Sequence, residues 1–552
     1  ASLIGEAERI FVHAGHLGSF LRCRGAADIE DEAAAAERAW LEVQFAAYET
    51  SEARLVAALG AAGLETFERL LEEPLLAGAE YQLRRWRVQA RATMAPELEE
   101  LAAELSSDGI KAWGRLYSQI AGRLSFTLEL PGAELERVPI AQKRSRMEDP
   151  APGVRRAVLK ASNEAWAEIE QVPLASMNSI AGTRLTLDRR RGVGHFLEPA
   201  LHEARITHAT LDAMLGAIEE RAELVRRYLR IKARLLSGDP QCVALGFQDL
   251  RAPLGLASSQ RISWSEASAD VVSAFAAVYP ALGDFARMAI ERSWVDSEAR
   301  AGKGPGGFCT SSYLLKESRI FMTFSGTAGD VKTLAHELGH AFHNWVMRDV
   351  RALARTYGPA LAETASTFAE AVYSHAAFER AVQSPTIQAE ILATRLDAAA
   401  SFLLDIPMRF RFEEAFYTER AEGQVSASRT RELLLAAQRA SYGDALDPEQ
   451  VDPCFWASKR HFHLSGRRFY NFSYAFGYLF SQGVYQRASQ EGPSFLPRYE
   501  ELLIRTGSGS AERVARESIG VDLTQPAFWL ESLDIVAADL ARFEAVIGEL
   551  GL

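Results

Sequence analysis

The sequence predicts a mainly helical protein with more than one lobe, and three observations carry that reading. A chain of 552 residues exceeds the size at which a single hydrophobic core keeps growing, so two or more lobes with a cleft between them are expected. From Asp28 to about Leu124 the chain is dense in Ala, Leu, Glu and Arg with few breakers, as in Ala33-Ala34-Ala35-Ala36-Glu37-Arg38-Ala39-Trp40, which is strong helix-forming material. Helical patterns return from about Gly153 to Gln171 and from Ala204 to Leu236, whereas strand-like pieces are short.

Taken in order, the N-terminal region reads as several long amphipathic helices, followed by an extended piece at Leu124 to Leu130. Pro150 and Pro152 punctuate the chain before the next helix. Around Arg184 to His195 the helical period breaks at a glycine-flanked turn, which places a lobe boundary near residue 190, giving an N-terminal helical lobe at 1–190 and a second domain at 191–552. Ala301-Gly302-Lys303-Gly304-Pro305-Gly306-Gly307 reads as an irregular loop. It is not a phosphate-binding loop, because Lys303 is followed by Gly304 and not by Ser or Thr at a helix start. Ser318 to Phe324 is β-branched and aromatic and reads as a strand. Thr327 or Asp330 can then cap a helix from Val331 to about Met347.

Composition excludes several classes. At 48% hydrophobic and 24% charged the chain is an ordinary globular protein, neither disordered nor fibrous. A formal charge of −12 repels phosphate backbones, and the basic run Arg189-Arg190-Arg191 follows Asp188 and reads as a solvated turn, so no nucleic-acid partner is expected. No apolar stretch approaches the roughly 20 residues a bilayer span needs, and the first residues lack a basic then apolar leader, so no membrane partner is expected. Cys23, Cys242, Cys309 and Cys454 are scattered with no CxxC pair, as befits thiols in a reducing compartment; the cytoplasm is the expected location.

The chemistry concentrates at His336-Glu337-Leu338-Gly339-His340. Four residues apart on a helix, the two imidazoles project from one face about one turn apart and can grip one zinc ion. Zinc suits this arrangement because it takes three protein ligands plus a water whose pKa it lowers, and Glu337, next to the first ligand, can accept the water's proton. With 11 histidines, an HExxH string arises by chance in roughly one or two chains per hundred, so context has to raise the odds. The flanks Leu334, Ala335, Leu338, Ala341, Phe342 and Trp345 do so: they make the helix apolar, and burying His, Glu and His together without a partner is costly. His343 lies near the face of His336 but is read as a neighbour of the site, since three histidines over seven residues cannot converge on one tetrahedral ion. Downstream, Gly358-Pro359 reads as a helix start. Glu363 and Glu370 would share a face of that helix, one as third ligand and one as its support.

Four blocks now resemble a known family: Ile320-Phe321-Met322-Thr323-Phe324-Ser325-Gly326-Thr327, the run from Thr333 through His343, Leu361-Ala362-Glu363-Thr364-Ala365-Ser366, and a tyrosine-rich block near residue 470. Together they resemble the M3 metallopeptidases, and within them the oligoendopeptidase F group. The resemblance implies one zinc ion per chain, held by His336, His340 and Glu363, with Glu370 in support and Glu337 as general base. It implies a two-lobed, mainly helical, zincin-like fold with a deep central channel and a small β element beside the HExxH helix. It also implies a zinc-dependent endopeptidase that hydrolyses short peptides. In Trp456 to Tyr478 it points to His461, Tyr470 and Tyr474 as hydrogen-bond donors to the oxyanion, with His463 as a substitute for His461. Finally, it makes the Arg319 to Phe324 strand an edge that pairs with the substrate backbone. The competing readings are a peptide-binding relative without turnover and a zinc hydrolase of another amide. Side-chain preference and oligomeric state are not legible.

Overall fold

The computed structural model describes residues 1–256, 261–304 and 306–552. Pro305, within the loop expected at 301–307, lies outside the described residues. Six helices open the chain: α1 (Ser2–Ala27), α2 (Glu32–Ala61), α3 (Leu64–Leu71), α4 (Glu80–Arg91), α5 (Pro96–Asp108) and α6 (Ile110–Arg123). Ile4, Leu59, Phe67, Leu76, Leu83 and Trp86 close a small core among them, joined by Leu353 from the far half of the chain. Arg351 ties the same place down, bridging to Glu8 on α1 at 2.5 Å. A second, far larger core runs from Tyr117 to Ile547.

The extended piece expected after the N-terminal helices is β1 (Ser125–Leu128), paired antiparallel with β2 (Glu136–Pro139). The expected break at Arg184 to His195 is shorter than the sequence indicated. A helix continues from Gln171 to Arg191 and stops at Gly192, which takes the left-handed conformation that favours glycine. The basic triplet is therefore the last turn of that helix, where cations meet the helix dipole, and Arg191 bridges to Glu99 at 2.5 Å.

Three short strands form the other sheet: β3 (Val295–Asp296), β4 (Phe308–Ser312) and β5 (Glu317–Phe321), in the order β3-β5-β4. β5 is thus the central strand, parallel to β3 and antiparallel to β4. This corrects the expectation of a free edge there, since its main-chain groups are taken on both sides; β4 is an outer strand of the sheet. Among the described residues no helix is long and apolar enough to cross a membrane.

After β5 the chain turns at Gly326, where a Cβ would meet the Ile262 carbonyl at 2.9 Å, and enters the helix Ala328–Val346. Thr327 caps it. Its hydroxyl accepts from the Asp330 N–H at 3.1 Å while the Asp330 carboxylate accepts from the Thr327 N–H at 3.0 Å, the reciprocal capping box. Val331, Leu334, Leu338 and Phe342 are buried on this helix, which fixes its rotation and so the direction of its polar side chains.

Candidate metal centre

Gly339, between the two histidines in sequence, sets how close the next layer comes. A Cβ there would meet the Ala365 carbonyl oxygen at 2.5 Å and Ser366 Cα at 2.6 Å. Only glycine permits that approach, and it brings the start of the helix Thr364–Arg380 against the His336 helix. Glu363 is the N-cap of that helix and does not lie on its face. The helix start expected at Gly358-Pro359 is instead a pair of turns, with Leu361 N–H to Gly358 O and Thr364 N–H to Leu361 O.

His336 Nε2 and His340 Nε2 are 3.1 Å apart, and each stands 3.4 and 3.3 Å, respectively, from Glu363 Oε2. A tetrahedral ion with ligands at about 2.0–2.1 Å sets its donor atoms about 3.3 Å apart. The three atoms therefore have the spacing of one small cation's ligand set, and His336, His340 and Glu363 are the metal-competent cluster found among the described residues. Glu370 Oε1 accepts from His336 Nδ1 at 2.5 Å, which in the neutral ring leaves the lone pair on Nε2, facing the cluster. Lys332 holds the other Glu370 oxygen at 2.9 Å, and the Ser366 hydroxyl donates to Glu363 Oε2 at 2.7 Å.

The electrostatics agree with a cation at this place. Burial opposes charge on His336, yet Glu370, with Glu363 and Glu337, outweighs it and raises the imidazole to about 9. Burial likewise opposes charge on Glu363, but His340, His336 and Ser366 draw it down to about 2. Glu337 is raised, chiefly by burial. It is 6% exposed, and its Oε2 is buried without a hydrogen-bond partner, so a carboxylate oxygen beside the cluster is left unpaired by the protein.

The other histidines on these segments face elsewhere. His343 is fully buried, with Nε2 at 2.9 Å from Thr506 Oγ1 and 3.2 Å from the Leu503 carbonyl. Its ring stacks on Tyr357, so it packs the helix. His463 stacks on Tyr117 with ring centroids 3.7 Å apart and meets the Trp456 carbonyl through Nε2 at 3.1 Å. His461, Tyr470 and Tyr474 do come together: the His461 ring lies 5.9 and 5.8 Å from the two tyrosines, which are 5.2 Å from each other. Tyr474 lines a cavity of about 360 Å³ together with His336, Glu363, Glu370 and Tyr478. Sequence reasoning missed Lys332, Ser366 and Asn471, whose Oδ1 lies 2.8 Å from His461 Nδ1. Lys332 could have been found one turn before His336 on the same face; Ser366 and Asn471 left no comparable signal.

A helical protein built around a half-buried three-donor cluster with an adjacent carboxylate is the class that fold and site define. Comparison with known proteins gives the family. The model of peptidase family M3 matches residues 255–535, and that of oligopeptidase F matches residues 59–126. The chain belongs to peptidase family M3. It is 24% identical over 334 residues to oligopeptidase PepF of Bacillus subtilis, covering 60% of this chain and 48% of that protein. An oligoendopeptidase F homolog of Lactococcus lactis is 23% identical over 413 residues, 74% of this chain and 65% of that one. The chain thus spans between about half and two thirds of the length of these two curated relatives. Among solved structures, a Chlamydophila abortus protein superposes with a TM-score of 0.87 at 18% identity, over 99% of this chain and 90% of its own. Oligoendopeptidase-F from Enterococcus faecium gives 0.72 at 18% identity, over 99% and 93%. These likenesses establish the fold, mainly helical with small sheets.

Proposed function

We propose that this protein is a zinc-dependent endopeptidase that hydrolyses internal bonds of short oligopeptides, with one zinc held by His336, His340 and Glu363. The observation that carries the reading is the donor set itself, three atoms 3.1 to 3.4 Å apart, beside a buried Glu337 oxygen with no partner. The named relatives support peptides as the substrate class. The scattered free cysteines support a cytoplasmic site of action.

Zinc bound there supplies Lewis acidity to an attacking water and to the scissile carbonyl. Glu337 accepts the water's proton and passes it to the leaving amine. Its burial favours the protonated form, which suits a group that takes the water's proton. Tyr470 and Tyr474 would supply hydroxyl donors to the oxyanion, typically worth about 3 kcal/mol per donor; Tyr474 lining the cavity with His336 and Glu363 supports this. Glu370, held by Lys332, fixes the His336 ring.

Cleavage of an internally quenched peptide, with and without a zinc chelator and alongside metal analysis, tests the reading. Chelator-sensitive internal cleavage with about one zinc per chain is expected. Stoichiometric zinc with no cleavage of any short peptide would overturn the endopeptidase assignment.

A further inference from the structure

The His461 ring is held by a chain of buried groups that decides which of its nitrogens carries the proton. Between the helices Pro385–Ala400 and Ile406–Glu422 the backbone widens into a π-turn at Ser401–Asp405, a rare feature often found at functional sites. The turn places Asp405 against Arg409; Nε lies 3.2 Å from Oδ1, and Nη2 makes a second, shorter bond to Oδ2. Both residues are buried. Arg409 Nη1 then donates to Asn471 Oδ1 at 3.2 Å, and the same Oδ1 lies 2.8 Å from His461 Nδ1.

The proton inventory of this chain has one solution. Arginine only donates, so the Asn471 atom facing Arg409 must be the carbonyl oxygen. The amide nitrogen of Asn471 is left buried without a hydrogen-bond partner. With an acceptor oxygen facing His461 Nδ1, that nitrogen must carry hydrogen. Burial, then the cations of Arg409 and Lys459 with Arg460 adding to them, hold His461 at about 4 against the opposing bond to Asn471. The ring is therefore neutral near pH 7 and has one proton, on Nδ1. Nε2 is left with a lone pair, and no hydrogen bond to it is found among the described residues. The His461 ring packs beside Tyr470 and Tyr474, and Tyr474 lines the cavity that His336 and Glu363 also line.

We propose that Asp405, Arg409 and Asn471 are positioning residues that lock His461 as the Nδ1–H tautomer, so that Nε2 meets bound peptide as an acceptor for a main-chain N–H. His461 is then not an oxyanion donor, in contrast to the role the family resemblance implies; that task falls to Tyr470 and Tyr474. The substrate part of this inference rests on the peptidase reading, while the tautomer does not.

The test is nitrogen NMR of the zinc-loaded enzyme carrying ¹⁵N-labelled histidine, with His461→Phe identifying the signals. Expected are a protonated Nδ1 and a bare Nε2; a proton on Nε2 in the unmutated protein overturns the lock. Asn471→Asp, which keeps an acceptor for Nδ1, retains the pattern, whereas Asn471→Leu loses it and lowers kcat/KM about tenfold more than Asn471→Asp does. Equal kinetic losses in the two variants would contradict the positioning role. Adding an uncleaved short peptide to Glu337→Gln should move the Nε2 signal as it gains a donor. Peptide that binds by calorimetry yet leaves Nε2 unmoved refutes the acceptor role, and absence of any peptide binding refutes the peptidase reading instead.

Discussion

Two helices of this protein are made from similar material and end in opposite environments. The 30 residues of α2 bury only Ala34 and Leu59, and Trp40 and Val43 on it are 60% and 67% exposed. The 19-residue helix Ala328–Val346 buries nine residues, including Glu337 and His343. Helix propensity and the Asp31 cap carry most of α2, which touches its neighbours mainly through Leu59. The His336 helix is gripped by β4, β5 and the helices on either side, so its histidines cannot turn away. A metal cluster needs that constraint, because its donors must hold their places to within about 0.5 Å before the ion arrives.

The sharpest way to break the comparison is to remove the third donor. Glu363→Ala should abolish both zinc retention and peptide cleavage while circular dichroism still shows a folded chain; retained stoichiometric zinc would remove Glu363 from the ligand set. In the packing behind the site, Phe368→Ala should cost about 3–5 kcal/mol in denaturant unfolding, since Phe368 is fully buried. Glu413 offers a pH test. Burial pushes it up from the usual carboxylate range to about 7 against the pull of the Phe469 N–H. The folded state then binds more protons than the unfolded one between about pH 4.5 and 7, so stability contributed by the neutral acid is present below that window and lost as pH rises through it, by at most about 3 kcal/mol. Unfolding midpoints of Glu413→Gln should show less of that slope. Gly339→Ala forces a methyl into the Ala365 carbonyl and should destabilise by about 1–3 kcal/mol and weaken zinc binding. Trp40→Ala on α2 should change stability by less than about 0.5 kcal/mol; a larger loss would mean that α2 is held by more than its own propensity.

Much of this was legible in the sequence, and the reasons are local. His336 and His340 could be paired because both sit on one helix, where spacing alone fixes geometry. The capping box at Thr327 and the strand before it are likewise contacts within a few residues. Glu363 was legible only through family resemblance, because it caps its helix and Gly358 misled. That glycine serves close approach to the Ala204 and Glu203 carbonyls, at 2.8 and 2.9 Å from a would-be Cβ, and not a helix start. The central position of β5 was hidden because β3 is two residues long and leaves no pattern. His461 and His463 could not be separated by spacing; what separates them is Tyr117, 346 positions upstream of His463, whose ring covers one histidine and not the other.

The most direct test of the account is the Glu337→Gln enzyme, assayed on a quenched short peptide and analysed for metal in the same preparation. Zinc should remain at about one per chain while turnover falls by about 10²–10⁴-fold. Full activity with bound zinc would contradict the assignment of Glu337 as the base and, with it, the chemistry proposed for this site.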